Sequence, residues 1–409
     1  MFRARVVAAT AGVAIVAASL ISPFAASAVP STGSTGTGST DPVGKAPHPA
    51  NFVADCPDLL VVGIAGGDDS GVDRDPFVEN NTAIVGNALG RLTVPTGLAL
   101  KNEPGTVGWA YVPYPATYGL GLLTPVPSYQ DSVAYGITSM NRILDDTKTR
   151  CGDKTKFALV GNSIGSEVAS RVTQDIGSRG KSALVSADDV VGVALVGNPY
   201  RPAGSDSMGK PGPAGGGFMS SEPIDYGLLK DKVTQACRPL DVACDSPREI
   251  ALLDLALGVL GQSRYHVLNP GMTISDTDRA LTSMAARTVG YIVSHPEWIE
   301  SDESLLDVLR KVSDRTYEVD EVHLTPQQRS DAVTWALGPG AEVVRAKLEE
   351  EGAGFVEDNR DIFDLVIKPY ILFGYAQHTL YWVQNPFAPG TQEVDQLMAW
   401  LIDLAREQK

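Results

Sequence analysis

A serine flanked by two glycines stands where an apolar run gives way to a helical pattern. The residues are Gly161, Ser163 and Gly165, in the pattern G-x-S-x-G. Phe157–Gly161 is predicted as a buried strand and Ser166–Ile176 as a helix, because a continuous apolar run is followed by apolar residues at helical spacing. A serine on such a sharp turn holds its hydroxyl in the open and can act as a nucleophile. The alternative is an ordinary turn, which a chain with 41 glycines can contain by chance.

An aspartate stands between two closely spaced cysteines further along the chain. The spacing is Cys237-x3-Asp241-x2-Cys244, after a short predicted strand at Asp231–Ala236. If the two cysteines pair, they close a small loop that fixes the carboxylate just beyond a strand end. A nucleophilic serine needs such an acid, because the acid orients the histidine base and stabilises its charged form. The alternative is an exposed aspartate in a turn.

Further apolar runs predict the elements that position these residues. Asp58–Gly66, Val107–Val112 and Asp189–Gly197 are predicted as buried strands, and Ser128–Thr147 as an amphipathic helix. Alternating buried strands and amphipathic helices predict an α/β fold, in which helices cover both faces of a parallel sheet. In such sheets the site lies at the carboxyl ends of the strands. The glycine-rich loop Gly66–Gly71 lies there, and its N–H groups either stabilise an anion or only form a turn.

The N-terminus and the charge of the chain bear on its location and partners. Residues 1–28 combine a basic start, an apolar run and a small-residue cleavage site, which predicts a secretory signal peptide. Residues 29–52 are rich in Ser, Thr, Gly and Pro and are predicted as a linker. The formal net charge of −16 disfavours binding to nucleic acid or to anionic membranes through a basic surface. The protein is therefore expected to be secreted, extracellular or associated with the cell wall, without a transmembrane segment in the mature chain.

The cysteines support the same expectation. The chain has four of them, Cys56, Cys151, Cys237 and Cys244. In an exported protein disulfides are the default, and four cysteines allow three pairings among which the sequence alone does not choose. The gaps between them do not match paired C-x2-C knuckles, so no metal site is expected.

Beyond the second cysteine pair the pattern changes to consecutive helices. Residues 245–367 are predicted as a helical insertion, whose apolar segment Ile250–Leu260 is too short to span a membrane. The insertion is expected either to pack on the sheet or to cover the site as a lid. An amphipathic helix over Gln392–Arg406 is predicted to close the chain.

Several of these features together resemble the cutinase-like serine esterases, a branch of the α/β hydrolases. The similar segments are Cys56-Pro57-Asp58, Tyr111-Val112-Pro113-Tyr114-Pro115-Ala116, Asn198-Pro199-Tyr200-Arg201 and, most specifically, the cysteine pair around Asp241. The resemblance covers about Cys56–Cys244 and the C-terminal end. It implies an α/β-hydrolase three-layer sandwich at residues 53–244 and 368–409, with no metal or organic cofactor. It also implies two disulfides, which pair Cys56 with Cys151 and Cys237 with Cys244.

The resemblance also bears on the choice of base among the five histidines. His378 precedes a Gly/Pro turn and the last amphipathic helix, which is similar to the position of the family's histidine. His266, which follows Asp241 by 25 residues, is the alternative. Both keep the order Ser, Asp, His that is expected of this fold. The other three, His48 in the linker and His295 and His323 between helices of the insertion, are expected at the surface.

Two positions depart from the family's pattern. Ile164 follows the candidate nucleophile where the family usually has glutamine, and Gly67 stands where it usually has Ser or Thr. The backbone N–H groups of Ile164 and Gly67 can still form an oxyanion hole, but a side-chain donor is lost. Weak activity is therefore an expectation.

The sequence thus predicts a secreted serine hydrolase, a cutinase- or lipase-like carboxylesterase. Ser163 is its predicted nucleophile, His378 its base and Asp241 its acid. An ester or lipid is the expected substrate, and association with the cell envelope is a further expectation. A cell-envelope acyltransferase on the same triad is one alternative. The other is a non-catalytic envelope-binding protein on a decayed hydrolase scaffold.

Overall fold

The computed structural model describes most of the chain beyond the predicted linker. It describes residues 56–76, 107–121, 124–219, 224–266, 268–319, 341–362, 376–378, 380–382 and 393–408, and the single residues 325, 327, 330, 334, 338 and 374. The predicted signal peptide and linker lie outside the described residues.

The chain divides into two compact units. One, here called the sheet unit, comprises Asp41–Gly119, Val126–Arg248 and Leu365–Lys409. The other, here called the helical unit, takes in Leu120–Pro125 and Glu249–Asp364.

Seven strands are present among the described residues. They are β1 (Leu59–Ile64), β2 (Val107–Tyr111), β3 (Leu120–Gly121), β4 (Lys156–Asn162), β5 (Val190–Val196), β6 (Val233–Ala236) and β7 (Tyr265–His266). Five of them form one sheet in the order β2-β1-β4-β5-β6, with every neighbouring pair parallel. In the register, Val61 of β1 pairs with Trp109 of β2 and with Ala158 of β4.

The described helices lie between and after these strands. They are α1 (Tyr129–Cys151), α2 (Ile164–Ser178), α3 (Ala251–Leu260), α4 (Pro270–Ser294), α5 (Leu305–Ser313), α6 (Ala341–Phe355) and α7 (Glu393–Glu407). Ser128 caps α1, because its side chain accepts a hydrogen bond from the N–H of Asp131. Short 3-10 segments of the sheet unit lie at Gly152–Lys154, Gly227–Lys232 and Leu380–Trp382.

Alternation along the strands builds a core on each face of the sheet. In β1, Leu60, Val62 and Ile64 pack with apolar residues of α1 and α2, whereas Leu59 and Val61 pack with those of α7. This follows from the period of two in a strand, which sends successive side chains to opposite faces. Helices therefore cover both faces of a parallel sheet, and the predicted α/β-hydrolase type of sandwich is confirmed.

The element ends differ little from their predictions, and one difference has a clear cause. The strand predicted over Asp231–Ala236 begins at Val233, because Gly227–Lys232 forms a 3-10 segment instead. Lys232 ends that segment, and its ammonium donates to the carbonyls of Ala187 and Val190.

The helical unit has a hydrophobic core of its own. Met284 and Ile292 of α4, Trp298, and Val308 and Val312 of α5 are buried in it. A capping box at Ser304 begins α5, since its hydroxyl accepts from the N–H of Asp307 and that carboxylate accepts from Ser304. The two-residue strands β3 and β7 pair with each other in parallel within this unit.

Within the part of the chain that the structure describes, every helix is too short or too polar to cross a bilayer.

Candidate active site

Ser163 occupies a strained turn between β4 and α2. Its φ and ψ are 55° and −126°, and residues other than glycine rarely adopt a positive φ. The N–H of Ser163 donates to the carbonyl of Val196, the last residue of β5. A Cβ on Gly165 would lie 2.4 Å from the carbonyl oxygen of Ala65, so a glycine is required for α2 to approach β1. The backbone of this turn therefore holds the serine hydroxyl in one place.

Asp241 lies in a short loop beyond β6 that a disulfide closes. Cys237 and Cys244 are bonded to each other, seven positions apart. The aspartate is fully buried, and its Oδ1 accepts a 2.9 Å hydrogen bond from the N–H of Ala243. Backbone hydrogen bonds from Cys244 and Asp245 to the carbonyl of Asp241 tighten the same turn. The second disulfide joins Cys56 and Cys151, so both pairings are those that the resemblance implies.

A buried arginine fixes the loops around this acid. Arg201 is fully buried, and its guanidinium donates to the carbonyls of Ser205, Pro213, Gly215 and Cys244. These carbonyls belong to the loop after β5 and to the disulfide-closed loop. Burial lowers the pKa of Arg201, and the nearby charge of Asp245 opposes this. Arg201 thus ties the two loops together through its two terminal nitrogens, whereas its buried Nε–H has no hydrogen-bond partner among the described residues.

His378 lies between the serine and the aspartate. Its Nε2 is 2.8 Å from Ser163 Oγ, and its Nδ1 is 2.9 Å and 3.0 Å from the two carboxylate oxygens of Asp241. Gly197, after β5, has a φ of 58°, and a Cβ there would lie 2.7 Å from His378 Cε1. A glycine is therefore needed where the chain passes the imidazole.

The hydrogen bonds fix the proton positions in this arrangement. An ionised Asp241 can only accept, so Nδ1 of His378 carries a proton and donates it to the carboxylate. Nε2 is then an acceptor, and the hydroxyl of Ser163 donates to it. An imidazole held in this tautomer can remove the serine proton, and the carboxylate stabilises the imidazolium that forms.

A buried tyrosine holds the carboxylate from the other side. The hydroxyl of Tyr381 donates to Asp241 Oδ2 at 2.6 Å and accepts from the N–H of Arg238 at 3.0 Å. Burial, and then the negative charge of Asp241, raises the pKa of Tyr381 well above its ordinary value. The phenol therefore stays protonated and is a permanent donor to the acid.

Two of the other histidines, His266 and His295, lie in the helical unit. His266 belongs to β7, where its backbone N–H donates to the hydroxyl of Thr273. His295 follows α4 in the same unit and stacks on Tyr291. His48 and His323 lie outside the described residues. Within the described residues, His378 is the imidazole within hydrogen-bond distance of both Ser163 and Asp241.

The two predicted oxyanion-hole residues flank the serine. Ile164 is the first residue of α2, and the first N–H groups of a helix have no intrahelical acceptor. Gly67 lies in the loop after β1. This loop is bonded to the segment that follows β2, since the N–H of Asp68 donates to the carbonyl of Ala116 at 2.6 Å. A Cβ on Gly66 would lie 3.2 Å from Ser163 Cβ, so this loop runs beside the serine.

Sequence reasoning missed three residues of this site. Tyr381 stands three positions after His378, a spacing that brings it to the same turn, and this H-x-x-Y pattern was available in the sequence. Arg201 belongs to a segment that resembles the family, but an isolated arginine in a sequence gives no sign of burial. Tyr118, whose hydroxyl lies 3.4 Å from Ser163 Oγ, left no local signal.

The sequence of this chain is similar to those of known esterases. Residues 78–252 match the family model described as Cutinase. The "Carboxylesterase Culp6 homolog" of Corynebacterium glutamicum is 29% identical over 250 residues, which cover 55% of this chain and 78% of that protein.

Similar solved structures have lower identities. A cutinase-like protein from Cryptococcus sp. is 18% identical with a TM-score of 0.34, covering 47% of this chain and 82% of its own. Trichoderma reesei cutinase is 21% identical with a TM-score of 0.30, covering 59% and 78%. Lysin B from Mycobacteriophage D29 is 16% identical with a TM-score of 0.34, covering 60% and 91%. The family model and the curated relative indicate that this chain is a carboxylic ester hydrolase that is similar to the cutinases.

Proposed function

We propose that this chain is a secreted esterase that cleaves carboxylic esters through an acyl-enzyme on Ser163. The observation that carries the proposal is the pair of hydrogen bonds made by His378, 2.8 Å to Ser163 Oγ and 2.9 Å to Asp241 Oδ1. In this geometry one imidazole reaches both the nucleophile and the acid, as a serine hydrolase requires.

The reaction then has two halves. Ser163 Oγ adds to the ester carbonyl carbon as His378 takes its proton, and the carbonyl electron pair moves to the oxygen. The N–H groups of Ile164 and Gly67 stabilise that oxyanion. The tetrahedral intermediate collapses when His378 returns the proton to the leaving alcohol. His378 then takes a proton from water, whose oxygen adds to the acyl carbon. The bond between that carbon and Ser163 Oγ breaks as the imidazolium returns the proton to Oγ, and the acid leaves.

We further propose a substrate class and a location for this protein. The apolar helices of the insertion at residues 245–367 suggest an acyl chain as part of the substrate. The predicted signal peptide and the two disulfides support export, followed by action outside the cell or at its envelope.

Hydrolysis of p-nitrophenyl esters tests this proposal. The secreted protein and Ser163→Ala are compared on acyl chains that lengthen from acetyl to palmitoyl. The wild type is expected to hydrolyse at least one ester while Ser163→Ala stays at the background rate, and the best chain length reports the acyl group. Equal rates for the two proteins on every ester would contradict the proposal. Acyl transfer to an added alcohol in place of hydrolysis would show an acyltransferase.

A further inference from the structure

The glycine at position 67 and the tyrosine at position 118 depend on each other. A Cβ on Gly67 would lie 2.2 Å from Cε2 of Tyr118 and 2.8 Å from its hydroxyl oxygen. Both distances are far below ordinary van der Waals contact, so a Ser or Thr at position 67 would displace the ring. The absence of a side chain at Gly67 therefore makes room for the phenol.

The ring is also held from its other side. Tyr118 stacks on Tyr129, with ring centroids 5.9 Å apart and an angle of 14° between the planes. Tyr129 is buried, and its hydroxyl donates to the carboxylate of Glu167 in the first turn of α2. Arg171 of the same helix donates to that carboxylate at 3.0 Å. The helix that begins at the nucleophile thus also supports the stack under Tyr118.

The direction of the contact between Tyr118 and Ser163 follows from the other hydrogen bonds. The two hydroxyl oxygens are 3.4 Å apart, and either could donate. Since the single proton of Ser163 points to Nε2 of His378, the phenol is the donor. It therefore points its proton to the oxygen that attacks the substrate, on the side where the Gly66–Gly67 loop runs.

We propose that the hydroxyl of Tyr118 is a side-chain donor of the oxyanion hole and replaces a donor that Gly67 cannot supply. This inference rests on the proposed esterase function. When Ser163 Oγ bonds to the carbonyl carbon, the oxyanion and Oγ are both bonded to that carbon, so the oxyanion lies next to Oγ. A phenol within 3.4 Å of Oγ needs only a small rotation to donate to it. The phenol keeps its own proton throughout, since the serine proton goes to His378 and from there to the leaving alcohol.

Tyr118→Phe is the direct test, because it removes the hydroxyl and keeps the ring and its stack. The matched control is Tyr265→Phe in the helical unit, whose hydroxyl donates to the carbonyl of Leu260. On a soluble p-nitrophenyl ester, Tyr118→Phe is expected to lower kcat about 10- to 100-fold, while KM stays within about twofold. Tyr265→Phe is expected to match the wild type.

A second readout separates this role from a structural one. A trifluoromethyl ketone that carries the same acyl chain adds to the serine and forms an oxyanion, whereas the alcohol obtained by reducing it cannot. Tyr118→Phe should bind the ketone more weakly by about the factor lost in kcat, and bind the alcohol as the wild type does. Unchanged kcat, a loss confined to KM, or equal weakening of ketone and alcohol would each overturn the inference.

Including Ser163→Ala in the same assays separates a failure of the proposed esterase activity from a failure of the proposed role of Tyr118. If the wild type is much faster than Ser163→Ala but equal to Tyr118→Phe, the esterase stands and the role of Tyr118 falls. If the wild type is no faster than Ser163→Ala, both fall together.

Discussion

The hydroxyl of Tyr381 lies 2.6 Å from Asp241 Oδ2, and both side chains are fully buried. The carboxylate thus meets a phenol on one side and the imidazole of His378 on the other. Because the tyrosine follows the histidine by three residues, a single segment carries both partners of the acid.

Tyr381→Phe should lower activity and stability together. Without the hydroxyl, Asp241 loses one donor and the N–H of Arg238 loses its acceptor, which costs about 1 to 3 kcal/mol in the free energy of unfolding. We expect kcat to fall roughly tenfold, because the acid is held less firmly against His378. Tyr226→Phe is the matched control, a buried tyrosine whose hydroxyl bonds Ser170 at 3.2 Å. It should lose stability without a comparable loss of kcat, and equal kcat losses in both variants would contradict the role of Tyr381.

The two disulfides should differ in what their removal costs. The bond between Cys56 and Cys151 spans 95 positions, and that between Cys237 and Cys244 spans seven. The chain entropy that each removes from the unfolded state grows with loop length, which predicts stabilisation by about 4 to 5 kcal/mol for the long loop and about 2 to 3 kcal/mol for the short one.

Activity should follow the opposite order, because the short loop holds Asp241. Paired alanine variants, Cys56→Ala with Cys151→Ala and Cys237→Ala with Cys244→Ala, are compared by urea unfolding and by ester hydrolysis under conditions where both remain folded. The variant with alanine at 237 and 244 should be the more stable and the less active of the two variants. The reverse order of activities would show that the loop is not needed to place the acid.

A buried aspartate beside the glycine loop should make stability depend on pH. Asp69 is 2% exposed, and among the described residues its Oδ1 has no hydrogen-bond partner. Burial raises its pKa from 3.8 to about 6, and the charge of Arg74 only partly opposes this. The folded protein therefore keeps this proton to a higher pH than the unfolded chain does. The stability that the protonated form contributes is present below about pH 4 and is lost as the pH rises through about 6.

Asp69→Asn should remove that dependence. The free energy of unfolding of the variant minus that of the wild type should be about 2 kcal/mol larger at about pH 7.5 than at about pH 4.5. Urea unfolding at the two pH values measures it, and Asp68→Asn is the matched control because Asp68 is exposed. The same difference at both pH values would contradict the burial argument.

The identity of the base has a simple genetic test. His378→Ala should lower kcat by at least about a thousandfold, whereas His266→Ala should leave ester hydrolysis near the wild-type rate. Both variants are assayed on the same soluble ester after their unfolding midpoints have been compared. Loss of activity in His266→Ala, with retention in His378→Ala, would reverse the assignment.

Local patterns in the sequence predicted the sheet and the turn at Ser163 well. The strands are continuous apolar runs, and the glycines of G-x-S-x-G are required by close backbone approaches that the pattern itself implies. The disulfide between Cys56 and Cys151 was predicted only from the resemblance to a family, because pairing depends on distances that the sequence does not contain.

Contacts between distant segments could not be predicted in this way. The hydroxyl of Tyr118 meets Ser163 across 45 positions, and Tyr381 meets Asp241 across 140. Tyr118 does not differ locally from a core or surface residue, and the only local sign of Tyr381 is its spacing of three residues after His378. The sequence also did not predict that Leu120–Pro125 belongs to the helical unit. Its strand β3 pairs with β7, which is distant in the sequence.

In the proposed mechanism His378, oriented by Asp241, activates Ser163. Labelling with a fluorophosphonate, followed by mass spectrometry of the modified peptide, tests it most directly, because the reagent reacts with an activated serine hydroxyl. The wild type should be labelled at Ser163, and His378→Ala and Asp241→Asn should be labelled far more slowly, with Ser163→Ala unlabelled. Failure to label the wild type, or labelling of His378→Ala at the wild-type rate, would contradict the account.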